Sequence, residues 1–300
     1  MPLPAIFSIS GPDITADERA FLEEVRPFGI ILFKENVESA DQVRNLVDHL
    51  RDILGSDAAI LVDQEGGRVQ RLRAPICQNI PAMRTIYEDG LDLGELIDIL
   101  AGELRGLDIT VNCAPVLDLL FPETDNSIGD RAFSRNPSEV AQLGTIVCER
   151  LLEHGIRPVI KHLPGHGRAE VDSHIDLPVI ETEIDILRST DFLPFQMVLK
   201  QAFAPELWGM VGHCLYRSID PDLPASLSPK VIRSVIRDEI GFTNLLLSDD
   251  LSMGSLSRYG TLAERARASF NAGCDIALCC KASLSDMEDV ARELSQACAA

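Results

Sequence analysis

Eight short runs rich in valine, isoleucine and leucine recur along the chain, at residues 5–10, 28–33, 58–63, 107–113, 157–162, 208–213, 244–249 and 274–279. Near-continuous apolar runs of this length fit strands buried on both faces, which only a cover of helices can provide. Helical patterns lie between them. The clearest covers 39–54, where Val43, Leu46, Val47, Leu50, Ile53 and Leu54 share one face, and Ser39 with Gln42 predicts a capping box. A second covers 137–154, with Asn136 as N-cap, Pro137 in the first turn and Gly155 just past the end. Others cover 16–25, 90–105, 191–202, 229–239, 262–272 and 283–297.

Buried parallel strands alternating with amphipathic helices define an α/β fold, and eight such units predict a single (β/α)8 barrel of the TIM type. An open doubly wound sheet has the same periodicity, but it needs a Gly-rich turn after its first strand. The chain there reads SISGPDITADERA. No linker or internal repeat divides the sequence, so residues 1–300 are expected to form one catalytic barrel domain.

Charge narrows the class of partner. The 27 Lys and Arg face 47 Asp and Glu, a net charge of −20, which repels nucleic acid and anionic lipid surfaces. The eight cysteines sit in apolar segments without disulfide-framework or metal-knuckle spacing, and are expected to be reduced core residues. The opening MPLPAIFSIS has no basic n-region, and no apolar run reaches the roughly 18 residues of a membrane span. A cytoplasmic, monomeric protein without a cofactor or resident metal is expected.

Several apolar runs end in ionisable groups: ILVDQEGGR, VIKHLPGHG, MVGHCLY and LLLSDDLSM. A lone charge at a strand end usually just meets water. In a parallel barrel, however, these ends share one rim, where Asp63, Arg71, Lys161, His162, His213 and Asp249 could meet. Lys161 and His162 continue the apolar run 158–160 directly, so they should have acidic or ligand partners.

His162 and His166 are four apart, a helical metal-ligand spacing, but Pro164, Gly165 and Gly167 argue against a helix there. The Gly-containing loop could instead carry His174 over the rim, with Asp172 orienting its imidazole for general acid/base work. Of Asp249 and Asp250, one is expected to act as a nucleophile at a strand tip and the other to cap the following turn. His49 and His154 read as structural or solvated, and Trp208 as a packing residue.

Taken together, LVDQEGGRVQRL at 61–72, SIGDRAF at 127–133, KHLPGHGRAEVDSH at 161–174, MVGHCLY at 210–216 and LLLSDDLSM at 245–253 resemble glycoside hydrolase family 3, in particular its compact bacterial β-N-acetylglucosaminidases of cell-wall recycling. The resemblance covers nearly the whole chain. It implies a retaining two-step hydrolysis that releases N-acetylglucosamine from peptidoglycan-derived muropeptides, the expected small-molecule sugar substrate. Asp249 would form the covalent glycosyl-enzyme, with His174 as acid/base and Asp172 as its dyad partner. Asp63, Arg71, Arg131, Lys161 and His162 match the family's sugar-binding positions. Leu163, Gly212 and Gly254 depart from the family pattern without removing any of these groups. Three other readings compete: a phosphate-accepting family member, a metal-dependent hydrolase built on His162, His166, His174 and Asp172, and a silent sugar-binding protein.

Overall fold

The structure is a computed structural model that describes residues 2–173 and 176–299. All eight expected strands form: β1 (Leu3–Phe7), β2 (Pro27–Leu32), β3 (Ala59–Val62), β4 (Val111–Asn112), β5 (Arg157–Leu163), β6 (Trp208–Val211), β7 (Leu246–Ser248) and β8 (Ala277–Cys279). From β1 to β7 each strand pairs in parallel with the next, and β8 pairs with β1. A parallel bridge from Leu247 to Ile276 joins β7 to β8, and Ser248 N–H donates to Ile276 O at 3.0 Å. The ring therefore closes into a single (β/α)8 barrel.

Around it lie α1 (Ala16–Val25), α2 (Ala40–Leu54), α3 (Met83–Asp89), α4 (Leu93–Gly106), α5 (Pro137–Glu153), α6 (Ile184–Ser189), α7 (Leu193–Val198), a π-helical segment Lys230–Glu239, α8 (Leu262–Ala272) and α9 (Leu284–Ala299). Among the described residues no helix is long and apolar enough to cross a membrane. On α5, Asn136 accepts the Ser138 N–H at 2.9 Å and Pro137 opens the first turn, as its sequence requires.

Three local expectations change. At α2 Ser39 accepts the Gln42 N–H at 3.1 Å, but the Gln42 side chain turns to the Glu38 N–H at 2.9 Å, leaving half a capping box. The fourth run yields only a two-residue strand, because Leu107 still caps α4 and Asp108 turns the chain at φ 56°. Seven cysteines are buried as free thiols, whereas Cys298 on α9 is exposed.

The barrel interior is packed solid. Ile6, Ile31, Leu61, Val111, Val159, Met210, Leu247 and Leu278 form one buried cluster inside the ring, separate from the larger cluster between ring and helices. Because strand side chains alternate, residues two positions beyond this layer form the next layer toward the C-terminal rim. That rule sends Phe33, Asp63, Lys161, Asp249 and Cys280 to the same place, and all five line one cleft.

Candidate active site

The cleft has a volume of about 630 Å3, opens at the C-terminal ends of the strands and has Ile31, Met210 and Leu278 at its base. Asp63 follows β3 directly, with Lys161 Nζ 2.9 Å from Oδ1 and Arg71 Nη2 3.0 Å from Oδ2. Burial alone would raise its pKa, yet Lys161 and Arg71 hold it well below the usual carboxylate range. Arg71 arrives by a short hairpin, Gln64–Gly66 paired with Val69–Gln70, that reverses at Gly66 and Gly67. Both glycines have positive φ, and a β-carbon on Gly67 would lie 2.7 Å from Ala82 Cβ. The Arg71 guanidinium then sits 5.2 Å from the Phe33 ring centroid.

Lys161 and His162 are adjacent on β5, where strict alternation would place them on opposite faces. A register shift between Lys161 and Leu163 against β6 breaks the alternation, and both side chains line the cleft. Lys161 is 2% exposed and reaches Glu65 at 2.7 Å as well as Asp63. Burial would lower its pKa, but these two carboxylates raise it well above an ordinary lysine, so the ammonium stays charged. Arg131, at the end of the 3-10 turn Gly129–Arg131, grips Glu65 with two bonds of 2.8 Å. Arg68 bonds to Asp130 at 2.7 Å and to the carbonyls of Asn126, Ser127 and Ile128, steadying the loop that carries Arg131.

Asp249 follows β7, and its N–H donates to Val211 O at 2.8 Å. Its Oδ1 accepts the Asp250 N–H at 2.8 Å. Burial pushes its pKa up, but His213, His162, the Asp250 amide and Lys161 together leave it lowered. Burial keeps His213 neutral near pH 7, so its own contribution fades there. Asp250 is committed differently: its Oδ1 accepts Ser252 N–H at 2.9 Å and Cys280 N–H at 2.9 Å. Both aspartates line the cleft, but Asp250 is the one tied into the following turn.

The structure gathers Asp63, Arg71, Arg131, Lys161, His162, Asp172 and Asp249 around the cleft. It places His213 behind the wall instead, fully buried, with Nδ1 2.7 Å from Ser226 Oγ and Nε2 2.9 Å from Asp250 O. His174 lies outside the described residues, two positions beyond Asp172. Trp208 packs at the opposite end of the barrel against Phe28 and Arg157. His166 lines the cleft beside His162, and burial pushes its pKa down to about 4. Among the described residues no three His, Cys, Asp or Glu side chains group so as to hold a metal ion.

Two buried acids belong to this site without having been singled out from the sequence. Glu65, the third residue of DQEGG, alternates onto the same side as Asp63 and was readable from that spacing. Asp118 is fully buried and bonds to His162 Nδ1 at 2.6 Å. Its signal was a single charge inside the apolar stretch APVLDLLF, which demands a partner for the reason that flagged Lys161.

Known proteins agree with this architecture. The family model described as the glycosyl hydrolase family 3 N-terminal domain matches residues 6–298. A β-hexosaminidase of Methylococcus capsulatus (strain Bath) is 38% identical over 280 residues, covering 92% of this chain and 82% of its own. NagZ of Neisseria gonorrhoeae superposes with a TM-score of 0.85 at 32% identity, over 98% of this chain and 89% of that one. A β-N-acetylglucosaminidase from Paenibacillus sp. FPU-7 superposes with a TM-score of 0.90 at 29% identity, over 98% of this chain but 56% of that longer one.

Proposed function

Because this chain belongs to glycosyl hydrolase family 3, and is accordingly a glycoside hydrolase, we propose that it is a retaining β-N-acetylglucosaminidase that releases N-acetylglucosamine from peptidoglycan-derived muropeptides. The observation that carries this reading is the Asp249 carboxylate: ionised, oriented by the Asp250 amide at 2.8 Å, and lining the cleft. A carboxylate so held attacks an anomeric carbon and forms a glycosyl-enzyme. Asp63, Arg71, Lys161, Arg131 and His162 surround the space where the sugar ring would lie, and offer hydrogen bonds of both polarities to its hydroxyls.

His174 serves as the acid/base, oriented by Asp172, which itself lines the cleft. An imidazole becomes neutral on giving up its proton, so it adds no second negative charge beside Asp249 and leaves the nucleophile ionised. The choice of N-acetylglucosamine is supported by the β-hexosaminidase relatives and by a gonococcal NagZ complex with N-trifluoroacetyl-D-glucosamine.

Proton NMR of the reaction with p-nitrophenyl N-acetyl-β-glucosaminide tests the proposal. The β-anomer of free N-acetylglucosamine should form first, at a rate indifferent to phosphate. First release of the α-anomer would overturn retention, and a sugar 1-phosphate would make the enzyme a phosphorylase.

A further inference from the structure

Beyond Val111–Asn112 the chain continues alongside β5. Leu117 N–H donates to Lys161 O at 2.7 Å, and Val116 bridges Lys161. This path delivers Asp118 beneath the cleft wall, where the carboxylate has no exposure to solvent. Both of its oxygens are engaged. Oδ2 lies 2.6 Å from His162 Nδ1, while Oδ1 accepts the His166 N–H at 2.6 Å and the His162 N–H at 3.3 Å. Burial would raise its pKa, yet the contact with His162 Nδ1 and the bond from the His166 amide help to lower it, so the group is an anion that can only accept. His162 must therefore carry its proton on Nδ1. The other ring nitrogen, Nε2, stands 3.5 Å from Arg131 Nη2, a group that can only donate. Both neighbours fix the same tautomer.

We propose that Asp118 is a positioning residue that locks His162 with Nε2 unprotonated, so that this nitrogen accepts a hydrogen bond from a hydroxyl of the bound sugar. The sugar in this statement rests on the function proposed above, whereas the tautomer does not. The arrangement gives the cleft an acceptor on a wall otherwise supplied with donors by Lys161 and Arg131. Through the His166 amide, the same carboxylate also pins the start of the segment that leads to Asp172.

The test pairs nitrogen NMR of histidine-labelled protein with kinetics. In the native protein His162 should show a protonated Nδ1 and a bare Nε2. Asp118→Asn keeps an oxygen for the His166 N–H but presents an NH2 group to Nδ1, so the proton should move to Nε2. Aryl N-acetylglucosaminides with one ring hydroxyl replaced by fluorine supply the second readout, because fluorine cannot donate. At one ring position the native enzyme should lose about tenfold or more in kcat/KM, the cost of an unmet buried acceptor. Asp118→Asn should lose much less at that position, since its Nε2–H can face the fluorine. A native His162 protonated on Nε2 would overturn the proposal even if the variant failed to fold. So would an identical fluorine penalty in both proteins. If no glycoside is turned over at all, the functional reading fails while the tautomer stands or falls by NMR.

Discussion

Nζ of Lys161 lies 2.9 Å from Oδ1 of Asp63, although the lysine is only 2% exposed. Glu65 shares the same ammonium at 2.7 Å. Removing one member of a buried ionic group leaves its partners uncompensated, at a cost of about 3–5 kcal/mol. Lys161→Met, which keeps most of the side-chain volume, should therefore lower the unfolding midpoint markedly as well as weaken sugar binding. A variant as stable in urea as the native protein would show that Arg71 and Arg131 suffice to hold the two acids.

Stability should fall on mild acidification, and His166 identifies part of the reason. Burial keeps its folded pKa near about 4, whereas an unfolded imidazole takes up a proton near about 6.5. Between those values the unfolded chain holds the extra proton, so stability is lost as pH falls from about 6.5 toward 4, by at most about 3 kcal/mol. His213 is also lowered by burial and acts in the same direction. Asp63, Asp118 and Asp249 have depressed folded pKa values, so their contribution is lost only at lower pH, below the ordinary range near 4. Urea titrations from pH 7 to 5 should show a shallower decline for His166→Gln than for the native protein, and parallel curves would refute this assignment.

Gly167 is set by backbone contact. A β-carbon there would collide with the carbonyl of Leu119, and Gly167 O accepts from Thr124 Oγ1 at 2.5 Å. Gly167→Ala should push the start of the 167–172 segment away from the barrel and displace Asp172. A displacement of about 1 Å can cost roughly a hundredfold in rate. The expected result is a loss of that order in kcat with a smaller change in KM, and a variant with native kcat would separate this backbone contact from turnover.

The barrel was legible because its evidence is redundant: eight apolar runs, each followed by helical spacing, survive errors of a few residues at any boundary. The site was legible where a charge directly continued an apolar run, as at Asp63, Lys161 and Asp249. His213 read as a rim residue from its place at a strand end alone; alternation from Met210 through Gly212 turns it away from the cleft, onto Ser226 and the Asp250 carbonyl. Asp118 escaped notice for another reason. The strand that should have announced it is two residues long, and what carries it to His162 is pairing with β5, a contact between distant parts of the chain. The residues by themselves offered Asp249 and Asp250 only as a pair of roles, which the family resemblance divided in favour of Asp249; the amides of Ser252 and Cys280 that commit Asp250 to the turn come from the fold.

In the proposed reaction Asp249 forms a covalent bond to the sugar. Intact-protein mass spectrometry after incubation with a slow fluorinated N-acetylglucosaminyl donor, followed by peptide mapping, tests it most directly. A single sugar adduct is expected on Asp249, absent from an Asp249→Asn variant. An adduct on Asp250, or turnover of the donor with no adduct at any stage, would contradict it.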